Sequence, residues 1–152
     1  EVFYDAVGSD TEGELFVELF GEASRDISNY QIVFVNGEDG KVIDTLRIPK
    51  GMKTNAQGFF VMADALTGEL ATTKVSKADW VTNMDPPNGP DSIQLLTPEG
   101  NLLDVLGYGS PLVKQAENSL SCYQGTPAPD APGGKSLSRR AETADSKDNS
   151  QR

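Results

Sequence analysis

The stretch Asp91-Ser-Ile-Gln-Leu-Leu-Thr-Pro-Glu-Gly-Asn-Leu-Leu-Asp-Val-Leu-Gly-Tyr108 decides how this chain is read. Two short apolar runs, residues 93–96 and 102–106, flank Pro98-Glu-Gly-Asn101, whose proline, glycine and asparagine are turn formers. That is a β-hairpin, and it predicts strands on either side of a tight turn.

Similar runs precede it. Residues 1–7 (Val2, Phe3, Tyr4) read as a first strand stopped at Gly8-Ser9-Asp10. In residues 14–20, Leu15, Val17 and Leu19 alternate with Phe16, Glu18 and Phe20, the period-2 pattern of a strand. Residues 27–35 are nearly continuously apolar, as expected at a sheet centre or in a strand covered on both faces. Asn36-Gly37 and Asp39-Gly40 supply the positive-φ residues of a hairpin loop, and 41–48 is its return strand, closed by Pro49. Residues 58–63 form the next core strand. Segment 67–83 lacks alternation, and Ser76-Lys-Ala-Asp79 matches a capping box that predicts one short helical turn. Trp80 therefore lies outside the strands, where it plugs one end of the core or stands exposed as a contact residue. Short strands with turn signals between them predict an all-β sandwich or barrel.

Composition agrees. The 15 Gly and 9 Pro favour turns over long helices, and no apolar run approaches the roughly 20 residues of a membrane span. Beyond Tyr123 the character changes: Thr126-Pro-Ala-Pro-Asp-Ala-Pro-Gly-Gly134 is linker-like and 141–152 is polar without an apolar anchor. The expected organisation is a sandwich over residues 1–123 and a Pro/Gly-rich polar tail over 124–152, which packs back in part through Ser136-Leu-Ser138. The chain begins at Glu1, as a processed product or an excised domain would.

Net charge is −10, and −7 of it lies in the first 26 residues: eight acids (Glu1, Asp5, Asp10, Glu12, Glu14, Glu18, Glu22, Asp26) against Arg25. Such a surface repels phosphate backbones, so no nucleic-acid binding by this module alone is expected. It reads as a solubilising face or as a site for a cation or basic partner.

The opening Glu1-Val-Phe-Tyr-Asp5 with its Gly-Ser-Asp turn, Phe16-Val-Glu-Leu19, Asp26-Ile-Ser-Asn-Tyr-Gln-Ile32, Ile48-Pro49 followed by Gly58-Phe-Phe-Val61, and the 91–108 hairpin together resemble the lamin tail domain family over roughly residues 1–140. Gly125-Thr-Pro-Ala-Pro, Ser136-Leu-Ser-Arg139 and Asp148-Asn149 resemble the closing segment of its exported bacterial members. The chain departs from the family at Leu15, where an acid is usual, at Gly21, where Asn is common, and at Tyr30, where Trp is usual. The resemblance implies an immunoglobulin-like β-sandwich, export to the periplasm, cell surface or medium, and a place beside hydrolases as an accessory domain.

Chemistry is sparse. With no histidine, Ser-His-Asp hydrolysis and His-based zinc sites are out. The single Cys122 forms no internal disulfide and, without a histidine to activate it, reads as a packed apolar residue. Phosphate-binding glycine loops are absent from the sequence. Glu14 and Glu18, four apart on one strand and so on one face, are the residual carboxylate pair. Two acidic loops, Asp10/Glu12/Glu14 and Asp85/Asn88/Asp91, and the pair Asp148-Asn149 offer oxygen ligands of the kind Ca²⁺ takes, but without the twelve-residue EF-hand pattern they read as solvated turn residues. The sequence therefore predicts no enzyme, no cofactor and no catalytic or metal residue. It predicts a protein-interaction or anchoring module, partnered by another protein or by a domain of the same parent chain. The alternative is a self-associating structural protein in the manner of intermediate-filament tails, and a hydrolase-associated domain is the residual reading.

Overall fold

A computed structural model describes residues 1–139 and 148–151. The chain is all-β, with the two four-stranded antiparallel-rich sheets of an immunoglobulin-like sandwich. Its strands are β1 (Val2–Phe3), β2 (Phe16–Phe20), β3 (Gln31–Asn36), β4 (Val42–Arg47), β5 (Phe59–Asp64), β6 (Trp80–Thr82), β7 (Asp91–Leu96) and β8 (Leu102–Tyr108). Among the described residues the helical element is one 3-10 turn, Asn149–Gln151.

One compact unit comprises Glu1–Ile27, Gly51–Pro86 and Ala131–Ser138, and holds a sheet in the order β1-β2-β5-β6. The alternation read in β2 is present: Leu15 and Val17 are buried, while Phe20 is 71% exposed. Val17 and Leu19 pair with Met62 and Phe60 of β5, and on this apolar side Val17, Phe60 and Met62 are buried while Leu19 is half-buried. Gly58 opens β5 at φ +90, and its carbonyl accepts from Gly21 N at 2.9 Å; a Cβ there would run into the Gly21 carbonyl.

The second unit comprises Ser28–Lys50, Pro87–Asp130 and, of the described residues beyond, 139 and 148–151, and holds a sheet in the order β4-β3-β7-β8. The continuous apolar run has the central place expected of it: β3 pairs with both β4 and β7, and Ile32, Val33, Phe34 and Val35 are all buried. Val33 and Val35 pack with Leu96, Ala116 and Cys122, flanked by Leu112, Leu120 and Tyr123. Cys122 is thus a core residue, and burial pushes its thiol pKa up. It should resist a thiol reagent in the native protein and react once denaturant unfolds the chain. Buried Gln94 ties the 118–121 loop to β7, donating to Ser121 O at 3.0 Å and accepting from Asn118 Nδ2 at 2.7 Å. The 97–101 turn closes with Gly100 at φ 87 and Thr97 N donating to Asn101 O at 2.9 Å.

Some expectations change. The first strand is Val2–Phe3, not 1–7. Beyond Phe3 the chain is held by other partners: Ala6 N donates to Asp10 Oδ1 at 2.8 Å, and the hydroxyl of buried Tyr4 accepts from Ala131 N at 2.6 Å. The capping-box segment forms a turn rather than a helix. Lys77 has φ 60, outside helical space, and the Asp79 carboxylate accepts from Val61 N of β5 at 2.8 Å instead of closing a helix. Trp80 follows as the first residue of β6, parallel to β5 and opposite Met62, so it is a half-buried strand residue rather than a plug between elements. Tyr30 is half-buried, and the fully buried tyrosines are Tyr4 and Tyr108.

The described part of the tail is bonded at many points. Leu137 bridges Val2 through two 2.8 Å backbone hydrogen bonds. Gly134 N donates to Asp5 O at 2.7 Å, and Ala128 pairs with Tyr108. Of the polar stretch 141–152, residues 141–147 and 152 lie outside the described residues.

Ser92, buried in β7, has a hydroxyl without a hydrogen-bond partner among the described residues. Ser92→Ala removes that desolvated group at constant shape, and should stabilise the protein by about 1 kcal/mol in denaturant unfolding.

Candidate functional site

The acids singled out in the sequence are mostly occupied in holding backbone. Asp10 takes the Ala6 amide, and Glu12 and Glu14 do not cap an ion but share the Lys74 ammonium, at 3.5 and 3.2 Å. These exposed pairs contribute little to stability. Glu14 lies two residues before β2 and bonds Lys74 at 3.2 Å, whereas Glu18 sits within β2 opposite Val61. Asp91 is buried and clamps two loops, accepting from Gly37 N at 3.0 Å and Gly89 N at 2.6 Å. Asp148 accepts from Thr126 N at 2.9 Å and from the Ser150 amide and hydroxyl, which lower its pKa. Among the described residues no three His, Cys, Asp or Glu side chains gather as a metal site.

Two carboxyls, Asp64 and Asp91, are buried without a salt bridge to any cation among the described residues. Asp64, which accepts from Met84 N at 3.1 Å, and Asp91 both have pKa values raised by desolvation, against the pull of their N–H donors. Asp85 is raised as well, by desolvation first and by the Asp10 charge second. A folded-state pKa above the unfolded value means the native state holds more protons, so stability falls as pH rises from the ordinary carboxylate range through the raised values. Lowering pH from neutral toward the ordinary carboxylate range should therefore raise the denaturant midpoint. Asp64→Asn keeps an oxygen for Met84 N and should shrink that rise, measured at high salt to screen the general repulsion of a −10 chain.

Sheet edges are the first place to look for a docking surface, because they present unpaired amides. Here most are covered. On β4, Thr45 N donates to the Asp44 carboxylate at 2.7 Å and Val42 N to Glu117 Oε1 at 2.8 Å. On β8, Asn149 imitates a strand: its Oδ1 accepts from Gly107 N at 2.9 Å and its Nδ2 donates to Val105 O at 2.9 Å. Leu137 covers β1, and β6 is three residues long.

What remains open is a sheet face. Register places Phe3, Phe16, Ala63 and Val81 in one row across β1, β2, β5 and β6, Glu18 and Val61 in the next, and Phe20 with Phe59 in a third. Phe3 and Phe16 pack with ring centroids 5.9 Å apart, and Phe20 and Phe59 at 4.9 Å. Phe3, Phe16, Phe59, Val61 and Val81 are only half-buried. An open depression of about 440 Å³ ends this face, walled by Lys74, Val75, Ser76, Gly134 and Ser136. The alternation in β2 was legible in the sequence, but the alignment of these rows needed the strand pairing.

No protein-family model matches the chain, and no curated protein matches it in sequence.

Proposed function

We propose that this chain is a non-catalytic protein-interaction module of lamin-tail type, exported and accessory to a larger protein or envelope assembly. The observation that carries the reading is the half-exposed aromatic face of the first sheet, beside Glu12 and Glu14, which are bound to Lys74. Four aromatic rings left in contact with water cost free energy that a monomer gains nothing by spending, and such surfaces mark contact sites. The order of the strand motifs along the chain supports the lamin-tail assignment, and that resemblance in turn supports export.

Thermal unfolding with Ca²⁺ and with EDTA, over a range of protein concentrations, tests this. A module whose acids serve its own backbone melts at one temperature throughout. A rise with Ca²⁺ would restore the acidic loops as a metal site, and a rise with protein concentration would replace the adaptor with a self-associating protein.

A further inference from the structure

We propose that the open face of the first sheet docks a short cationic amphipathic segment of a partner protein, with apolar side chains over Phe16, Phe20 and Phe59 and a Lys or Arg on Glu18. The proposal rests on the interaction-module reading and names the chemistry of the partner.

Size argues for a segment. The face spans four strands about 4.8 Å apart and, from Phe16 to Phe20, four steps of about 3.3 Å, so its area is on the order of 200 Å². A stable dimer or a globular partner needs about 800 Å² per side, whereas one amphipathic strand or two turns of helix match the smaller patch.

Charge argues for the sign. Glu18 is the charged residue of the middle row, and Glu14 and Glu12 stand at the end where Lys74 enters. The first 26 residues, to which these three belong, carry −7. Two copies placed face to face would set Glu18 near Glu18 and double that charge, a like-charge contact that opposes self-docking. Anionic lipid and nucleic acid meet the same repulsion. The face already holds two ammonium groups, Lys74 between Glu12 and Glu14 and the Glu1 N-terminus donating to Glu18 O at 3.0 Å, so it takes cations beside an aromatic floor. Flanking cations and central apolar residues are the complement of this surface.

The test is a titration of the isotopically labelled chain, followed by amide NMR, with the acetylated peptide Lys-Leu-Lys-Val-Lys-Phe-Lys. Two control peptides replace its apolar residues by Ser or its Lys residues by Glu. We expect shifts confined to residues 16–20 and 59–63 with the first peptide and not with the controls. Phe20→Ser, at a 71% exposed position that leaves the fold intact, and Glu18→Lys should each weaken binding about tenfold. Glu18→Lys should also let the acidic peptide bind. Equal shifts from the Ser-Lys control would reduce the site to bulk charge, and shifts mapping elsewhere, or none with any peptide, would overturn the proposal. If the peptides fail while a photo-crosslinker at position 20 still captures a protein, the interaction-module reading stands and the cationic chemistry alone is wrong.

Discussion

Asn149→Ala is expected to destabilise the protein by about 4 kcal/mol in denaturant unfolding. The side chain of Asn149 is fully buried and uses both ends of its amide. Oδ1 accepts from Gly107 N at 2.9 Å and Gln124 N at 3.0 Å, and Nδ2 donates to Val105 O at 2.9 Å. Truncation to Ala removes three hydrogen bonds to backbone, of which the Gly107 and Gln124 amides would each cost about 1–3 kcal/mol where water cannot replace the bond. Asn149→Asp separates geometry from shape: it keeps the acceptor, loses the donor and buries a charge, so it should be no better than Ala at neutral pH. A loss under about 1 kcal/mol for Asn149→Ala would mean that water takes over the amide's bonds.

Gly107→Ala is expected to cost about 3 kcal/mol. A Cβ at this position would stand 2.5 Å from Tyr123 Cβ, 2.6 Å from Cys122 O and 2.7 Å from Leu112 Cδ2. Leu112 has a flexible end, but Cys122 O is backbone and Tyr123 Cβ is one bond from it, so the 122–123 segment must move off β8. That segment carries the Cys122 contact of the core and the Gln124 amide bonded to Asn149. The two substitutions share partners, so their costs should not add: the double variant should lose less than the sum.

Much of the fold was legible because it follows from alternation and turn chemistry. The 91–108 hairpin, the central β3 and the alternation of β2 are local patterns backed by burial, so periodicity finds them. Trp80–Thr82 was not legible, because a three-residue parallel edge strand has no pattern of its own and is defined by β5 beside it. The capping box at Ser76–Asp79 misled for the related reason that Asp79 finds a better donor in Val61, across the sheet, than in its own turn. Asn149 could be singled out only as part of a motif; its role depends on β8 amides 42 and 44 residues away. The candidate site divides the same way. Phe16, Glu18 and Phe20 stand on one face by spacing alone, but their alignment with Phe3, Phe59, Val61 and Val81 is a property of register.

The central claim is that the open face of the first sheet is the working surface of this chain. It is tested most directly by placing photoreactive benzoylphenylalanine at Phe20 or, for comparison, at Leu103 of the second sheet, which is 50% exposed. Each variant is irradiated in an extract of the source cells, and the adducts are identified by mass. The account predicts a defined heterologous adduct from position 20 that the cationic amphipathic peptide suppresses, and none from position 103. Equal capture at both positions, capture at 103 alone, or adducts at 20 consisting only of a second copy of this chain would contradict it.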